Sequence, residues 1–112
     1  MCVISVSELE KSVSETYTRI QSHLRDCSKW FVSFDVDVLD PKLVPGTGTP
    51  VREGLSFQQV LALSKLLIQD ARVCGWEITE LNPLLDHKGE TVKLMADYFL
   101  KLTQHYEQHS GV

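Results

Sequence analysis

The sequence predicts an α/β protein, with a parallel sheet covered by helices in a three-layer α/β/α arrangement. Three observations carry this: apolar runs alternate with helical patterns, one of those runs ends in acids, and the helical patterns open on hydroxyl residues suited to capping. The runs Cys2 to Val6, Trp30 to Phe34 and Val73 to Thr79 alternate with apolar residues at helical spacing, in the order β-α-β-α-β-α. Such alternation favours parallel strands joined by right-handed crossovers. A chain of 112 residues with 43% hydrophobic content is read as a single globular domain, 1–112, with no linker, repeat or low-complexity tract.

Each element has a local reason. Cys2 to Val6 is a short apolar run, read as an opening strand. Ser7-Glu8-Leu9-Glu10 has the form of a capping box, and Leu9, Val13, Ile20 and Leu24 follow on one stripe, so a helix is expected from about Glu8 to His23. Asp26, Cys27 and Ser28 form the return loop. Trp30 to Phe34 is aromatic and β-branched, as a strand buried on both faces reads. The segment from Pro41 to Pro50 is too rich in proline and glycine for regular structure. Ser56-Phe57-Gln58-Gln59 starts the next helix, whose apolar face is Val60, Leu61, Leu63, Leu67 and Ile68. In the third strand Gly75 permits close approach of a helix or neighbouring backbone, and Asn82-Pro83 ends the run beyond Glu80. Val92, Met95, Phe99, Leu102 and Tyr106 recur at steps of three and four, predicting a last helix from about Glu90 to Gln108.

The chemistry gathers at the strand tips. Asp35 and Asp37 share one face of their strand while Val36 points into the core, because side chains alternate with a period of two. Two carboxylates roughly 7 Å apart on one face call for a cation, and a divalent metal is the economical one. The competing reading is a pair of solvated acids, with Asp40 forming an Asx turn before Pro41. Glu80 ends the next strand and projects at the same edge. Glu77 faces the other way and is read as a surface or buried-pair residue. Gly46-Thr47-Gly48-Thr49 lacks the lysine and following helix of a phosphate loop and is read as a shaped turn. His87 reads as a solvated loop histidine, and His23, His105 and His109 form no cluster. An EF-hand fails because Leu39 stands where a ligand belongs.

The balance of charges excludes other classes. A net charge of −4 without a Lys/Arg cluster argues against nucleic acid and anionic membrane as partners. No apolar run has the length of a membrane span and the first residues lack a signal peptide's form, so the cytoplasm is the expected compartment. The cysteines Cys2, Cys27 and Cys74 are odd in number and not in C-x-x-C spacing, so they are read as reduced, mostly core thiols.

Three segments carry a family resemblance: Ser33-Phe34-Asp35-Val36-Asp37-Val38-Leu39-Asp40-Pro41, Gly46-Thr47-Gly48-Thr49-Pro50-Val51 and Glu80-Leu81-Asn82-Pro83-Leu84-Leu85-Asp86. In order and spacing they resemble the second half of the ureohydrolases, the family of arginases, agmatinases and formiminoglutamate hydrolases, and the likeness spans nearly the whole chain. The resemblance implies a partial arginase-like fold. It also implies a pair of manganese ions that activate water against a guanidinium carbon, releasing urea. Asp35 and Asp37 are then metal ligands, Glu80 pairs with the substrate guanidinium, and Thr49 lies in the substrate pocket. Carboxylate ligation suits manganese, and a fixed carboxylate suits a planar cation. Asn82-Pro83 resembles arginase more than agmatinase, so L-arginine is the expected substrate, with agmatine second.

The resemblance also implies incompleteness. Family members carry an earlier Gly-Gly-Asp-His segment, an Asp-x-His-x-Asp segment and a catalytic histidine, and nothing in Met1 to Lys29 resembles them. The expectation is a chain that begins inside the fold, assigns no catalytic residue of its own, and is inactive alone. Its partners would be a small guanidinium substrate and either an N-terminal half or further copies of itself. Two readings from other classes stand beside this one. One is a haloacid-dehalogenase-type phosphatase using Asp35 and Asp37 with magnesium; the other is a non-catalytic remnant or subunit.

Overall fold

The structure is a computed structural model that describes residues 2–36, 56–80 and 90–109. Its elements are α1 (Val6–Lys11), α2 (Val13–His23), β1 (Trp30–Asp35), α3 (Phe57–Gln69), β2 (Val73–Thr79) and α4 (Glu90–His109). Among the described residues β1 and β2 form one two-stranded parallel sheet. The pairing runs Phe31 with Gly75, Val32 with Trp76, Ser33 with Glu77, Phe34 with Ile78 and Asp35 with Thr79, after an irregularity between Trp30 and Phe31.

The first expected strand is absent: residues 2–5 have no regular structure and the chain enters α1 at Val6. Val3 is 69% exposed, and no strand among the described residues lies beside this run to share a ladder with it. Ser5 caps α1 in place of Ser7, accepting the Glu8 N–H at 3.2 Å. The single helix expected from Glu8 to His23 is divided at Ser12. That residue is extended (φ −164°, ψ 114°); its N–H still donates to the Glu8 carbonyl, and its Oγ accepts from the Glu15 N–H. One serine thus closes α1 and opens α2. The ion pair between Arg19 and Glu8 links the two across the break.

The second half follows the sequence closely. Ser56 and Gln59 form the expected reciprocal capping box at α3. α3 packs against both α2 and α4. The core lies on the sheet face carrying Phe34 and Ile78, where Phe34, Val36, Phe57, Val60, Leu61, Met95, Tyr98 and Leu102 form one cluster. The Tyr98 ring, fully buried, stacks on Phe34 with centroids 4.9 Å apart and meets Phe57 edge-on at 6.4 Å. Its hydroxyl and that of Ser64 share a hydrogen bond of 2.7 Å, and burial pushes the Tyr98 pKa up. On the other sheet face the Phe31 ring, 62% exposed, lies over Gly75, where a Cβ would come within 2.5 Å of it. The close approach at this glycine is therefore made by a side chain of the paired strand, where a helix or neighbouring backbone was expected. The cysteines are not core thiols: Cys27 and Cys74 are exposed and Cys2 is half-buried. Cys27 sits in the return loop, and the Cys74 Sγ donates to the Trp30 carbonyl at 3.4 Å.

A polar hub holds the start of both strands. Asp70, its side chain 7% exposed, accepts hydrogen bonds from the Tyr17 hydroxyl (2.8 Å) and from the Arg72 N–H (3.0 Å), Nε (2.8 Å) and Nη2 (2.7 Å). The Arg72 guanidinium lies 4.0 Å above the Trp30 ring, and the Arg72 carbonyl accepts the Trp30 N–H at 2.7 Å. The Arg72 hydrogen bonds hold the Asp70 carboxyl well below the usual carboxylate range. Burial and the Asp70 carboxylate push the Tyr17 phenol up to about 12.

The signs of these shifts fix a pH profile. Asp70 is depressed in the folded chain, so its contribution is complete above the ordinary carboxylate pKa of 3.8 and is lost as pH falls below it. Tyr17 is raised, so its contribution is complete below 10.0 and is lost as pH rises toward 12. Thermal melts of the parent chain should therefore fall off on both flanks. Asp70→Asn should lower the melting temperature at pH 7 and flatten the acid flank. Tyr17→Phe, which removes one hydrogen bond, should cost about 1 kcal/mol and flatten the alkaline flank.

Candidate active site

Parallel pairing decides where the acids lie. Asp35, the last residue of β1, sits opposite Thr79, the last residue of β2, and Glu80 follows at once. Asp35 and Glu80 therefore share the C-terminal edge of the sheet, as expected. This is the edge where open α/β sheets bind ligands. Val36, completely buried in the core cluster, points away from Asp35 as the strand period requires. Asp35 is half-buried and Glu80 exposed. Asp37, Thr49, Asp40, the Gly46 to Thr49 turn and His87 lie outside the described residues.

Glu80 departs from the expectation in one respect. Its φ is +64°, the left-handed region that favours glycine, and the only positive φ of a non-glycine residue among those described. Strand alternation therefore stops at Thr79, and the direction of the Glu80 side chain is set by this turn rather than by its offset from Glu77. Glu77 is exposed on the Phe31 face, and its Oε1 accepts the Ser33 hydroxyl at 2.7 Å across the strands. Glu77 is thus the surface residue it was read as, and its partner Ser33 was not anticipated. A two-strand register is needed to find it, since Ser33 and Glu77 lie 44 positions apart.

Asp35 offers hard carboxylate oxygens, the ligand type that manganese or magnesium takes, at a half-buried strand tip. Among the described residues, no three His, Cys, Asp or Glu side chains lie close enough together to hold an ion. The described residues thus form no metal site by themselves; of the two expected ligands Asp35 is described and Asp37 is not.

Comparison with known proteins places the chain in a family. The sequence pattern of the Arginase family matches residues 1–104, and the chain belongs to that family. It is 41% identical over 76 residues to proclavaminate amidinohydrolase of Streptomyces clavuligerus, covering 68% of this chain and 24% of that protein. It is 32% identical over 98 residues to the arginase of Bacillus subtilis, covering 87% of this chain and 33% of that protein. A crystal structure of the Bacillus subtilis arginase superposes with a TM-score of 0.82 at 30% identity, over 91% of this chain and 36% of that one. The α/β class read from the sequence is therefore that of the structural relatives, and the phosphatase reading is not favoured. The chain spans about a quarter to a third of the length of these relatives. Among the described residues no helix is long and apolar enough to cross a membrane.

The left-handed turn is separable from the carboxylate. Glu80→Gly should raise the melting temperature relative to Glu80→Ala, because glycine takes this φ without the roughly 1 kcal/mol that other residues incur. Equal melting temperatures for the two variants would show that the position carries no strain.

Proposed function

We propose that this chain forms the guanidinium-binding, metal-liganding edge of an arginase-type hydrolase acting on L-arginine to give ornithine and urea. The observation that carries the reading is the Asp35–Thr79 pairing, which sets Asp35 and Glu80 on one sheet edge in a chain of the Arginase family. Asp35 and Asp37 would hold manganese, together with ligands from the rest of the fold. When bound, the metal supplies Lewis acidity and lowers the pKa of water, which an unreactive guanidinium carbon needs at neutral pH. The chain's own residues bind and orient. Glu80, at the strand tip, would take the planar guanidinium through charge-assisted hydrogen bonds and turn its carbon toward Asp35. Thr49 would belong to the substrate pocket.

Turnover in this reading requires polypeptide beyond the 112 residues, supplied as an N-terminal half, since the matched part of the chain covers only 24% and 33% of these relatives. The compartment is cytoplasmic, and the partners are the substrate and that complementing polypeptide.

Manganese titration calorimetry tests the metal. Asp35→Asn with Asp37→Asn should abolish binding and His87→Ala should leave it unchanged; unchanged affinity in the double variant would place the metal elsewhere. Urea release tests the substrate. Complemented with the missing part of the fold, Glu80→Gln should lose arginine hydrolysis by about 2–4 kcal/mol, or roughly 30- to 1,000-fold, without unfolding. The isolated chain should release no urea above a metal-only blank. Equal turnover of agmatine would overturn the choice of arginine.

A further inference from the structure

We infer that α4 carries a self-complementary face on which a second copy of this chain docks antiparallel, an interaction independent of the metal and guanidinium reading. A surface helix ordinarily has one apolar stripe, and α4 has two. Thr91, Met95, Tyr98 and Leu102 are buried. Beside them Val92, Phe99 and Tyr106 recur every seven residues and are 44%, 61% and 49% exposed. Ala96 and Thr103 divide those intervals into steps of four and three, the spacing of a seam between packed helices. The Thr103 hydroxyl donates to the Phe99 and Leu100 carbonyls at 3.0 Å, so covering it leaves no donor unsatisfied. Phe99, Thr103 and Tyr106 also line the groove shared with Trp76 and Ile78, which continues the apolar surface toward β2.

Symmetry and charge name the occupant. The seam reads alike in both directions from Phe99, with Val92 and Tyr106 at its ends and the small Ala96 and Thr103 between. An antiparallel copy therefore sets Phe99 against Phe99 and Val92 against Tyr106, as a closed isologous pair requires. The row flanking the seam is Lys93, Leu100 and Glu107, all exposed and again seven residues apart. Leu100, 55% exposed, is its centre, and opposite charges stand at its two ends. Antiparallel docking lays this flank of one helix along the same flank of the other, so Lys93 of each copy meets Glu107 of its partner. A parallel pair would forfeit both contacts. The exposed parts of Val92, Phe99, Leu100 and Tyr106 amount to on the order of 400 Å² a copy, below the ~800 Å² of a standard interface. The dimer is accordingly weak, with a Kd in the high-micromolar range.

The test is sedimentation equilibrium of the full chain, from micromolar to millimolar concentration at low salt, beside thermal melts. The parent should show a reversible monomer–dimer equilibrium that stops at two copies. Phe99→Ser should weaken the dimer by about 30-fold or more. Lys93→Glu and Glu107→Lys, at exposed positions, put an acid near the start of α4 or a base near its end, so both suit the helix dipole and keep the fold. Each turns two attractive contacts repulsive and should weaken self-association about ten-fold. Mixed together, the two single variants should recover the parent's affinity as a heterodimer, because every Glu then meets a Lys. A parent that is monomeric throughout, or that grows beyond two copies, would overturn the inference. So would a dimer untouched by Phe99→Ser, or a mixture that associates no more tightly than either variant alone. A parent that is monomeric by itself yet binds a complementing polypeptide through Phe99 would assign the face to that polypeptide instead.

Discussion

The Asp70 carboxylate is the interaction on which the rest of the sheet depends. It takes the Tyr17 hydroxyl from α2 and the Arg72 donors from the turn between α3 and β2. Arg72 in turn covers the Trp30 ring and receives the Trp30 N–H. One largely buried anion therefore ties α2, the end of α3 and the first residues of both strands. The register is fixed from that end and runs without further irregularity to Asp35 opposite Thr79. A slip of one residue would move every side chain of a strand to the other face, Asp35 included. The placement of acids at the C-terminal edge thus depends on a polar cluster at the opposite edge.

Packing reinforces that register from one side. Phe34 is held by the Tyr98 ring, and Tyr98 by Ser64 on α3, so α3 and α4 clamp the sheet through one aromatic stack and one buried hydrogen bond. A two-stranded sheet has little stability of its own, and the helices supply most of the buried apolar surface. An apolar groove of about 440 Å³ runs between β2 and α4, past Trp76, Ile78, Phe99 and Tyr106. Phe31, Phe99 and Leu100 are exposed as well. Large apolar side chains left outside the core match a unit that spans only a third of the length of its structural relatives.

What was legible in the sequence is what local chemistry decides. The bounds of β2, the Ser56 and Gln59 box and the course of α4 follow from patterns within a few residues of each other. The N-terminal helices did not follow, because Ser5, Ser7 and Ser12 are equivalent caps by local rules. The structure uses Ser5 and Ser12, the choice that buries Leu9 and Thr16. The shared edge of Asp35 and Glu80 was legible because parallel strands force it. The Asp70 hub and the Ser33–Glu77 pair were not, since Tyr17 and Asp70 lie 53 positions apart and nothing local joins them.

Glu80 shows where pattern reasoning fails for a physical reason. The chain must turn at the end of β2, and a left-handed residue there makes the turn in a single step. Glycine would make it without strain, and asparagine or aspartate with less strain than a longer side chain. Glutamate is among the less favourable choices for the backbone, yet of these residues it alone combines a carboxylate with the reach of an extra methylene. A strained φ at the point where a substrate-binding carboxylate is proposed fits the general tendency of such strain to collect at functional sites. The cost is carried by the rigid element before it: β2 is fixed at its start by Arg72 and along its length by β1, so the turn cannot relax by sliding the strand. Rigidity founded on Asp70 and strain accepted at Glu80 are in this sense two ends of one arrangement.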